Sequence, residues 1–544
     1  MHSKRLLARN VFWNGAGTLF DAVVAFKITP ILIQGLGDTT YGLWILIGSL
    51  SSYFGLLDIG VRGSVGRFIA FHRGAGDREA VNATISTAMA LCCASASIVM
   101  VVSVGLQFLF FHFFDVPPSM AAETRLALWL ICLNLALTFP LSLFDGVLWA
   151  SGRFDLLNAV DIPAMFARAL LSYFVVTRGH GLVGLAIVTI SLTVAVGLVK
   201  AAVGFRVDPG IRIRFSLVNM ATARTLFGYG AMNLVITIAR LTRLQMTTMM
   251  IGSIMGAARV TLFSNARKLV DYSERVIVSG SGTLTPLATT IHSQGDSDRQ
   301  QALLTQGGRF TAAFSFFILG FLATLGRPFL ILWLGPRFAF AGDLLLILAF
   351  GEVLPLTQST TGNILMAMAR LRLIAVLQVT EVIALLALGL PISREFGLVG
   401  FCWVIAAVGL VFRGLFILVY GCRIVGVPVR SYLRNAFLPA AAVAAIPWIV
   451  LALVEAASPA TQWARFFAYF FMYACLCSVA LIPLIGTRIV LAFFGEIGQS
   501  LMGGAPDSTS RPPRQIEEPG SPAAGDPDRA EMVSTATIPD DPVP

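Results

Sequence analysis

Apolar residues occur in long runs along this chain, and short stretches of polar residues, glycine and proline separate the runs. An α-helix needs about 20 residues to cross the hydrocarbon core of a bilayer. The pattern predicts an all-α polytopic membrane protein with about 14 transmembrane helices. The predicted spans cover residues 11–33, 42–66, 82–112, 124–149, 157–177, 181–204, 225–252, 258–290, 304–334, 340–366, 372–391, 397–420, 433–455 and 463–487.

The composition indicates the same class of protein. Of 544 residues, 56% are hydrophobic and only 12% are charged, whereas an average soluble protein carries about 25% charged residues. The mean hydropathy is +0.80. So few charges cannot cover the surface of a soluble protein of this length, and a soluble enzyme is therefore excluded.

Basic residues concentrate at alternate ends of the predicted spans. With the N-terminus placed in the cytoplasm, the cytoplasmic ends hold 21 Arg and Lys residues and the outer ends hold 7. Cytoplasmic loops of membrane proteins carry such an excess. We therefore expect a multi-pass protein with both termini in the cytoplasm. The formal net charge of +10 then requires no nucleic acid as a partner.

Three turn motifs recur in the same order 216 to 219 residues later in the chain. The pairs are Gly181–Gly184 with Gly397–Gly400, Gly76–Asp77 with Gly295–Asp296, and Arg153 with Arg370. This repeat predicts two halves of six spans each. Because six is even, both halves have the same orientation, and a substrate site is expected between them near the bilayer midplane.

The repeat and the composition predict five regions. They are an N-terminal six-helix bundle at 1–204, a basic cytoplasmic linker at 205–224, a C-terminal six-helix bundle at 225–422, two additional transmembrane helices at 423–490, and a cytoplasmic tail at 491–544. The tail is expected to be disordered from about residue 503, because it is rich in proline and acids and has no aromatic residue.

The motifs at the start of the chain resemble a known family. They are the segment from Pro30 to Trp44, which reads PILIQGLGDTTYGLW, the segment from Gly55 to Gly60, and the segment from Gly66 to Ala70. They resemble the opening of the bacterial polysaccharide transporters, the O-antigen (Wzx-type) flippases of the MOP superfamily. The span count and the two halves extend the resemblance over most of the chain.

The resemblance implies a V-shaped pair of helix bundles in the bacterial inner membrane. It also implies transport of an undecaprenyl-pyrophosphate-linked oligosaccharide to the periplasmic leaflet, with membrane lipids and other polysaccharide assembly proteins as partners. The glycan is an O-antigen, exopolysaccharide or capsule unit. Within the motif, Leu36–Thr40 is expected to form a tight outer turn. Tyr41 and Trp44 are expected to anchor the membrane interface.

Several cationic residues lie inside predicted spans, where a charge costs free energy. A charge at the centre of a span costs roughly 2.5–3.5 kcal/mol, so such a residue usually faces a cavity or a partner. Pyrophosphate is multiply negative and is well matched by Arg and Lys. The predicted substrate-binding residues are Lys27, Arg240, Arg243, Arg267 and Lys268. The alternative for this cluster is simple neutralisation by acids such as Asp271, the predicted i,i+4 partner of Arg267.

The acids in or near spans are candidates for ion coupling. They are Asp21, Asp58, Asp145, Asp161, Glu352 and Glu381. Carriers use such carboxylates to bind a coupling H⁺ or Na⁺, and Asp21 and Glu352 are the predicted choices. Pairing with a nearby Arg is the alternative for each of them. No metal or organic cofactor is expected, because the cysteines form no CxxC pair and the histidines lie at span ends or in loops.

Three other functions compete with polysaccharide export. A flippase for the peptidoglycan lipid precursor would need the same head-group chemistry. A MATE-like antiporter of cationic drugs would need an acidic cavity, which the surplus of cations disfavours. A membrane glycosyltransferase or polymerase would need a sizeable outer loop, whereas the predicted outer loops are short. The sequence therefore predicts a transporter and no enzyme activity.

Overall fold

The computed structural model describes residues 23–55, 59–282, 284–368 and 370–485, which form helices joined by short turns, with no strand among them. Asp21, Asp58, the first half of the first predicted span and the tail at 491–544 lie outside the described residues. In this part of the chain the all-α prediction is confirmed. The helices up to the central linker are α1 Val23–Leu36, α2 Asp38–Phe54, α3 Ile59–Gly74, α4 Arg78–Phe113, α5 Pro118–Ala150, α6 Phe154–Thr177 and α7 Gly181–Val207.

The second part of the chain contains more interrupted helices. They are α8 Met220–Met255, α9 Ala257–Gly282, α10 Thr285–Ser293, α11 Ser297–Leu334, α12 Ala339–Gly351, α13 Val353–Thr357, α14 Ser359–Ala367, α15 Leu371–Gly409, α16 Phe416–Val425, α17 Val429–Ala457 and α18 Trp463–Ile485. Gly397, at φ 61°, breaks α15 into two helices. A π-helical turn at Leu410–Leu415 joins α15 to α16.

Within the described residues, eight helical segments are long and apolar enough to cross a membrane, which makes the chain a multi-pass membrane protein. The remaining predicted spans also coincide with helices. However, α8 and α9 carry several charges, and the span at 340–366 is divided into three short helices at Glu352 and Gln358. The count of 14 spans and the two six-helix bundles remain predictions.

The repeated turn motifs adopt matching backbone conformations. Gly76 and Gly295 have φ angles of 73° and 67°, and the aspartates after them, Asp77 and Asp296, each cap the following helix through a side-chain oxygen. Gly181 and Gly397 have φ angles of 52° and 61°. Only glycine adopts such angles without strain, so the repeated sequence signals correspond to repeated geometry.

A further matching pair places α2 against α9. Gly37 and Gly256 are 219 residues apart and precede these two helices with φ angles of 79° and 82°. The helices pack so closely that a Cβ atom at Gly42 would lie 1.9 Å from the carbonyl oxygen of Ala257. The Thr261 hydroxyl donates a 2.6 Å hydrogen bond to the carbonyl oxygen of Asp38. The resemblance motif thus forms a contact between the predicted halves.

Gly42→Ala is therefore expected to destabilise the protein by about 1–3 kcal/mol, because the added methyl group overpacks the contact between α2 and α9. Thermal unfolding of the purified protein in detergent would measure the loss. Gly48→Ala is the matched control, because Gly48 lies on the same helix with open space around the position of a Cβ atom. Equal melting temperatures for the two variants would contradict the close contact.

The two additional helices predicted at 423–490 correspond to α17 and α18, and they pack against α11. The Phe321 ring lies 6.1 Å from that of Phe466 and 5.6 Å from that of Phe470, both on α18. The Tyr473 hydroxyl donates a 2.8 Å hydrogen bond to the carbonyl oxygen of Phe317. These helices therefore share an apolar core with α11.

The segment after α7 is held against the N-terminal half of the chain. Arg73 and Arg78 both donate to the buried carboxylate of Asp208. Beyond it, the Asn82 and Ser86 side chains of α4 exchange hydrogen bonds with backbone groups of Gly210, Arg212 and Arg214. The predicted linker at 205–224 is thus fixed along α4 by side-chain to backbone bonds.

Burial alone would raise the pKa of Asp208, but hydrogen bonds from Arg78 and Arg73 outweigh it and hold the pKa below its usual value. The ion pairs therefore stabilise the fold above the unfolded pKa of about 3.9, and this contribution is lost as the pH falls through the folded value.

Asp208→Asn is accordingly expected to lower stability at pH 7 by about 1.5 kcal/mol. The difference from the wild type should shrink as the pH is lowered below about 4. Thermal unfolding across this pH range would measure it. Asp155→Asn is the control, because it breaks an exposed pair with Arg153 that contributes little. If the stability difference between Asp208→Asn and the wild type stayed constant with pH, the ion pairs of Asp208 would not be its cause.

Candidate functional site

A connected chain of ion pairs in the second part of the protein includes Glu352 and Glu381, two of the most buried acids of the described residues. At its centre, the Arg413 guanidinium donates 2.8 Å hydrogen bonds to both carboxylate oxygens of Glu352. Its Nε donates a 2.9 Å bond to Glu381. The side chains of Glu352 and Glu381 are each only 2% exposed. Glu352 lies at the break between α12 and α13, Glu381 on α15 and Arg413 on the π-helical turn.

Arg267 extends this chain of charges to α9 and α8. Its Nη1 lies 3.6 Å from Glu352, its Nε 2.6 Å from Asp271 and its Nη2 3.6 Å from Glu274. Glu274 in turn lies 3.9 Å from Arg243. The predicted pair of Arg267 with Asp271 is therefore present. The structure brings together three of the predicted site residues, Arg243, Arg267 and Glu352.

The charges in this chain of ion pairs do not balance, and two of its buried atoms lack a hydrogen-bond partner in the described structure. Its three arginines, Arg243, Arg267 and Arg413, face four acids, so one acid is in excess. Arg267 Nη2 and Glu381 Oε2 are buried without a hydrogen-bond partner among the described residues. Buried polar groups normally find one, so Nη2 can donate to a water molecule or an anionic ligand, and Oε2 can accept from a water molecule or bind a proton or a cation.

Arg413 is not among the predicted site residues, and Glu381 is among the six candidate acids but is not one of the two predicted coupling residues. Each is a charge inside a predicted span, at 397–420 and 372–391, so the cost of a mid-span charge was a usable signal. Arg275 of α9 lies outside the chain of charges, with its guanidinium 5.6 Å from the centre of the Tyr272 ring.

Lys268 has a different environment from Arg267. Its ammonium lies 3.3 Å from the Thr29 hydroxyl of α1 and 3.2 Å from the Tyr41 hydroxyl of α2. No acidic oxygen lies within ion-pair distance of it in the part of the chain that the structure describes. The expected role of Tyr41 as an interface anchor is wrong, because the ring is only 4% exposed and bonds inward. Lys268 is eleven residues into α9, about 16 Å along the helix.

The remaining predicted residues are dispersed. Lys27 is exposed at an apolar cavity of 610 Å³ that is lined by residues of α1, α11 and α18, including Phe329, Trp333 and Phe466. Arg240 lies on α8, and its side chain is outside the described residues, as is Asp21.

A second cluster of charges lies among α5, α6 and α7. The buried ammonium of Lys200 is 2.7 Å from Asp145 and 2.7 Å from Asp161. All three line a cavity of 370 Å³ together with Arg168 and Thr138. The predicted binding set did not include this cluster. The polar residues of α5, at positions 134, 138, 142 and 145, recur at helical spacing and were the usable signal.

Among the described residues, no group of three His, Cys, Asp or Glu side chains is placed to hold a metal ion. The chemistry available at both clusters is therefore that of guanidinium, ammonium, carboxylate and hydroxyl groups. These groups bind anions, small cations and protons.

Sequence comparisons relate the chain to polysaccharide biosynthesis. Residues 76–341 match the model of a family of polysaccharide biosynthesis proteins. The chain is 24% identical to the membrane protein EpsK of Bacillus subtilis (strain 168) over 457 residues, covering 82% of this chain and 88% of EpsK. It is 23% identical to a protein of Shigella flexneri named as an O-antigen transporter, covering 48% of this chain and 62% of that protein.

Solved structures show the same fold at low sequence identity. The lipid II flippase MurJ in an inward closed conformation has a TM-score of 0.65 at 12% identity and covers 90% of this chain and 99% of MurJ. An inward-facing multidrug resistance MATE transporter of the MOP superfamily has a TM-score of 0.64 at 13% identity, covering 75% and 94%. The chain is thus similar in sequence to polysaccharide biosynthesis proteins over residues 76–341 and shares the fold of these two transporters.

Proposed function

We propose that the chain is a flippase that moves an undecaprenyl-pyrophosphate-linked oligosaccharide from the cytoplasmic to the periplasmic leaflet by alternating access. The observation that carries the proposal is Lys268, a membrane-depth cation whose described partners are hydroxyl groups and an aromatic ring. It lies where α9 meets α1 and α2, the contact between the predicted halves. A desolvated ammonium without a counter-ion is costly, and an anionic head group would stabilise it.

The predicted cations act in two different ways in this proposal. Lys268 offers its charge directly, and Lys27 lies at an aromatic cavity suited to a prenyl chain. Arg243 and Arg267 are already paired, so a phosphate must displace a carboxylate. Glu274 is the acid most easily displaced, because both of its contacts with these arginines are long, at 3.6 and 3.9 Å, whereas Glu352 is also held by Arg413. Arg240 completes the proposed set.

The sequence of the membrane-depth parts of α8 and α9 favours an anionic cargo over a cationic one. There, Arg240, Arg243, Arg267, Lys268 and Arg275 outnumber Asp271 and Glu274 by three. A MATE-like drug antiporter would require the opposite balance. A peptidoglycan-precursor flippase shares the head-group chemistry, and the sequence relatives favour polysaccharide export. We assign no catalytic step to the chain.

We further propose that transport is coupled to H⁺ or Na⁺. Glu352, the predicted coupling residue, is held by both terminal nitrogens of Arg413, which disfavours exchange. Asp145 and Asp161 share one lysine and face a cavity, so they are better placed to gain and lose a proton. Asp21 stays a candidate. We also propose that the protein lies in the bacterial inner membrane with both termini in the cytoplasm.

Deletion of the gene tests the proposed function. Lipid-linked oligosaccharide should accumulate on the cytoplasmic leaflet and disappear from the periplasmic one, and the wild-type gene should restore it. Accumulation of unelongated intermediates would instead indicate a glycosyltransferase and would contradict the flippase proposal.

A further inference from the structure

A polar and aromatic cavity lies near the turn between α4 and α5, apart from both charge clusters. It measures 490 Å³, and its lining includes Gln107, Phe108, Phe111, His112, Arg125 and Trp129. Phe108 is 77% exposed on a strongly apolar membrane helix. An apolar side chain exposed in that position faces lipid, so the cavity opens toward the bilayer.

Gln107 supplies a hydrogen-bond acceptor with no donor. The residue is only 7% exposed, and its Nε2 donates to the backbone carbonyl of Arg125 at 3.4 Å. Since a carbonyl oxygen accepts only from the amide nitrogen, this bond fixes the orientation of the side-chain amide. Its Oε1 is left buried without a partner in the described structure. Such an oxygen is normally satisfied, so a donor from outside the chain is expected.

Arg125 supplies a cation at the same cavity. Its guanidinium lies 4.9 Å from the centre of the Phe111 ring, and within the described ranges it has no carboxylate partner. Arg125 is seven residues from the start of α5, about 10 Å along the helix. Helical side chains point toward the N-terminal end, so the guanidinium reaches the depth of lipid head groups. The His112 imidazole also lines the cavity.

We propose that this cavity binds the head group of a membrane phospholipid. The phosphate bonds to Arg125 and His112, a hydroxyl or ammonium of the head group donates to Gln107 Oε1, and the acyl chains lie along Phe108. Phosphatidylglycerol and phosphatidylethanolamine carry such a donor, whereas phosphatidylcholine has none. The site therefore selects lipids by the hydrogen-bond donor of the head group as well as by its charge. The lipid site is independent of the proposed flippase function.

Native mass spectrometry of the full-length protein tests this site with an equimolar mixture of the three lipids, matched in acyl chains. The wild type should retain phosphatidylglycerol and phosphatidylethanolamine about fivefold over phosphatidylcholine. Gln107→Leu should abolish that preference. Arg125→Gln should lower the retention of all three about tenfold, while Arg125→Lys retains binding and shows that the fold is intact.

Arg178→Gln is the matched control, because it removes an exposed arginine at the end of α6 on the same predicted side of the membrane. Three results would overturn the proposal. The first is equal retention of all three lipids by the wild type, and the second is an equal effect of Arg125→Gln and Arg178→Gln. The third is displacement of bound lipid by inorganic phosphate, which would make the site one for a free anion.

Discussion

Replacing Arg413 with leucine is expected to destabilise the protein by about 3–5 kcal/mol, the largest stability effect of a single substitution in this structure. The side chain pairs with both Glu352 and Glu381, whose carboxylates are almost wholly buried. Without it, Glu381 would lose its described ion pair, and Glu352 would keep only its 3.6 Å contact with Arg267. Thermal unfolding in detergent would measure the loss, and lysine should rescue it only in part, because an ammonium cannot bond Glu352 bidentately.

The triple variant Arg413→Leu, Glu352→Gln, Glu381→Gln separates the charge from the packing. If unpaired carboxylates cause the instability, replacing them with neutral amides should restore most of the lost stability. Arg423→Leu serves as the control, because this arginine is exposed at the end of α16 and should change stability by no more than about 0.5 kcal/mol. A triple variant as unstable as the single one would contradict the electrostatic explanation.

Replacing Lys268 with methionine is expected to reduce export about ten- to a hundredfold without loss of folded protein. Methionine is similar in length and apolar, so the contacts along α9 are kept. A hydrogen bond to a charged group contributes about 1.5–3 kcal/mol, which corresponds to this range of affinity for a phosphate. Surface display of the glycan, corrected for the amount of protein in the membrane, would measure the loss.

Lys268→Arg should restore part of the activity, because it keeps the positive charge. Arg259→Gln is the matched control, since it removes an exposed charge near the start of the same helix. If Lys268→Met exported as well as Arg259→Gln, the ammonium would have no role in substrate binding. The bonds to Thr29 and Tyr41 would then be structural.

The helices were largely predictable because the apolar runs and the turn glycines are local signals. The positions of the helices follow the predicted spans closely, and Gly76, Gly181 and their counterparts in the second half all have positive φ angles. The break at Glu352 was less predictable, because an apolar run continues on both sides of it.

The candidate site was predictable residue by residue but not as a network. Arg267 and Asp271 are four residues apart, so helix geometry alone predicts their pairing. Glu352, Glu381 and Arg413 come from separate helices, and their pairing depends on how those helices pack. The same limit applies to Lys200, whose two aspartates lie on α5 and α6. Tyr41 was misplaced because an amphipathic ring near a span end fits a lipid interface and a buried hydrogen bond equally well.

Translocation by the purified protein tests the central claim most directly. Liposomes would contain undecaprenyl-pyrophosphate-linked oligosaccharide in both leaflets, and a membrane-impermeant glycosidase would cleave the glycans that reach the outer surface. With the wild-type protein, nearly all of the glycan should be cleaved, whereas protein-free liposomes should lose only the share of the outer leaflet. With Lys268→Met, the glycan of the inner leaflet should be cleaved about ten- to a hundredfold more slowly than with the wild type. Equal cleavage with and without the wild-type protein would contradict a flippase.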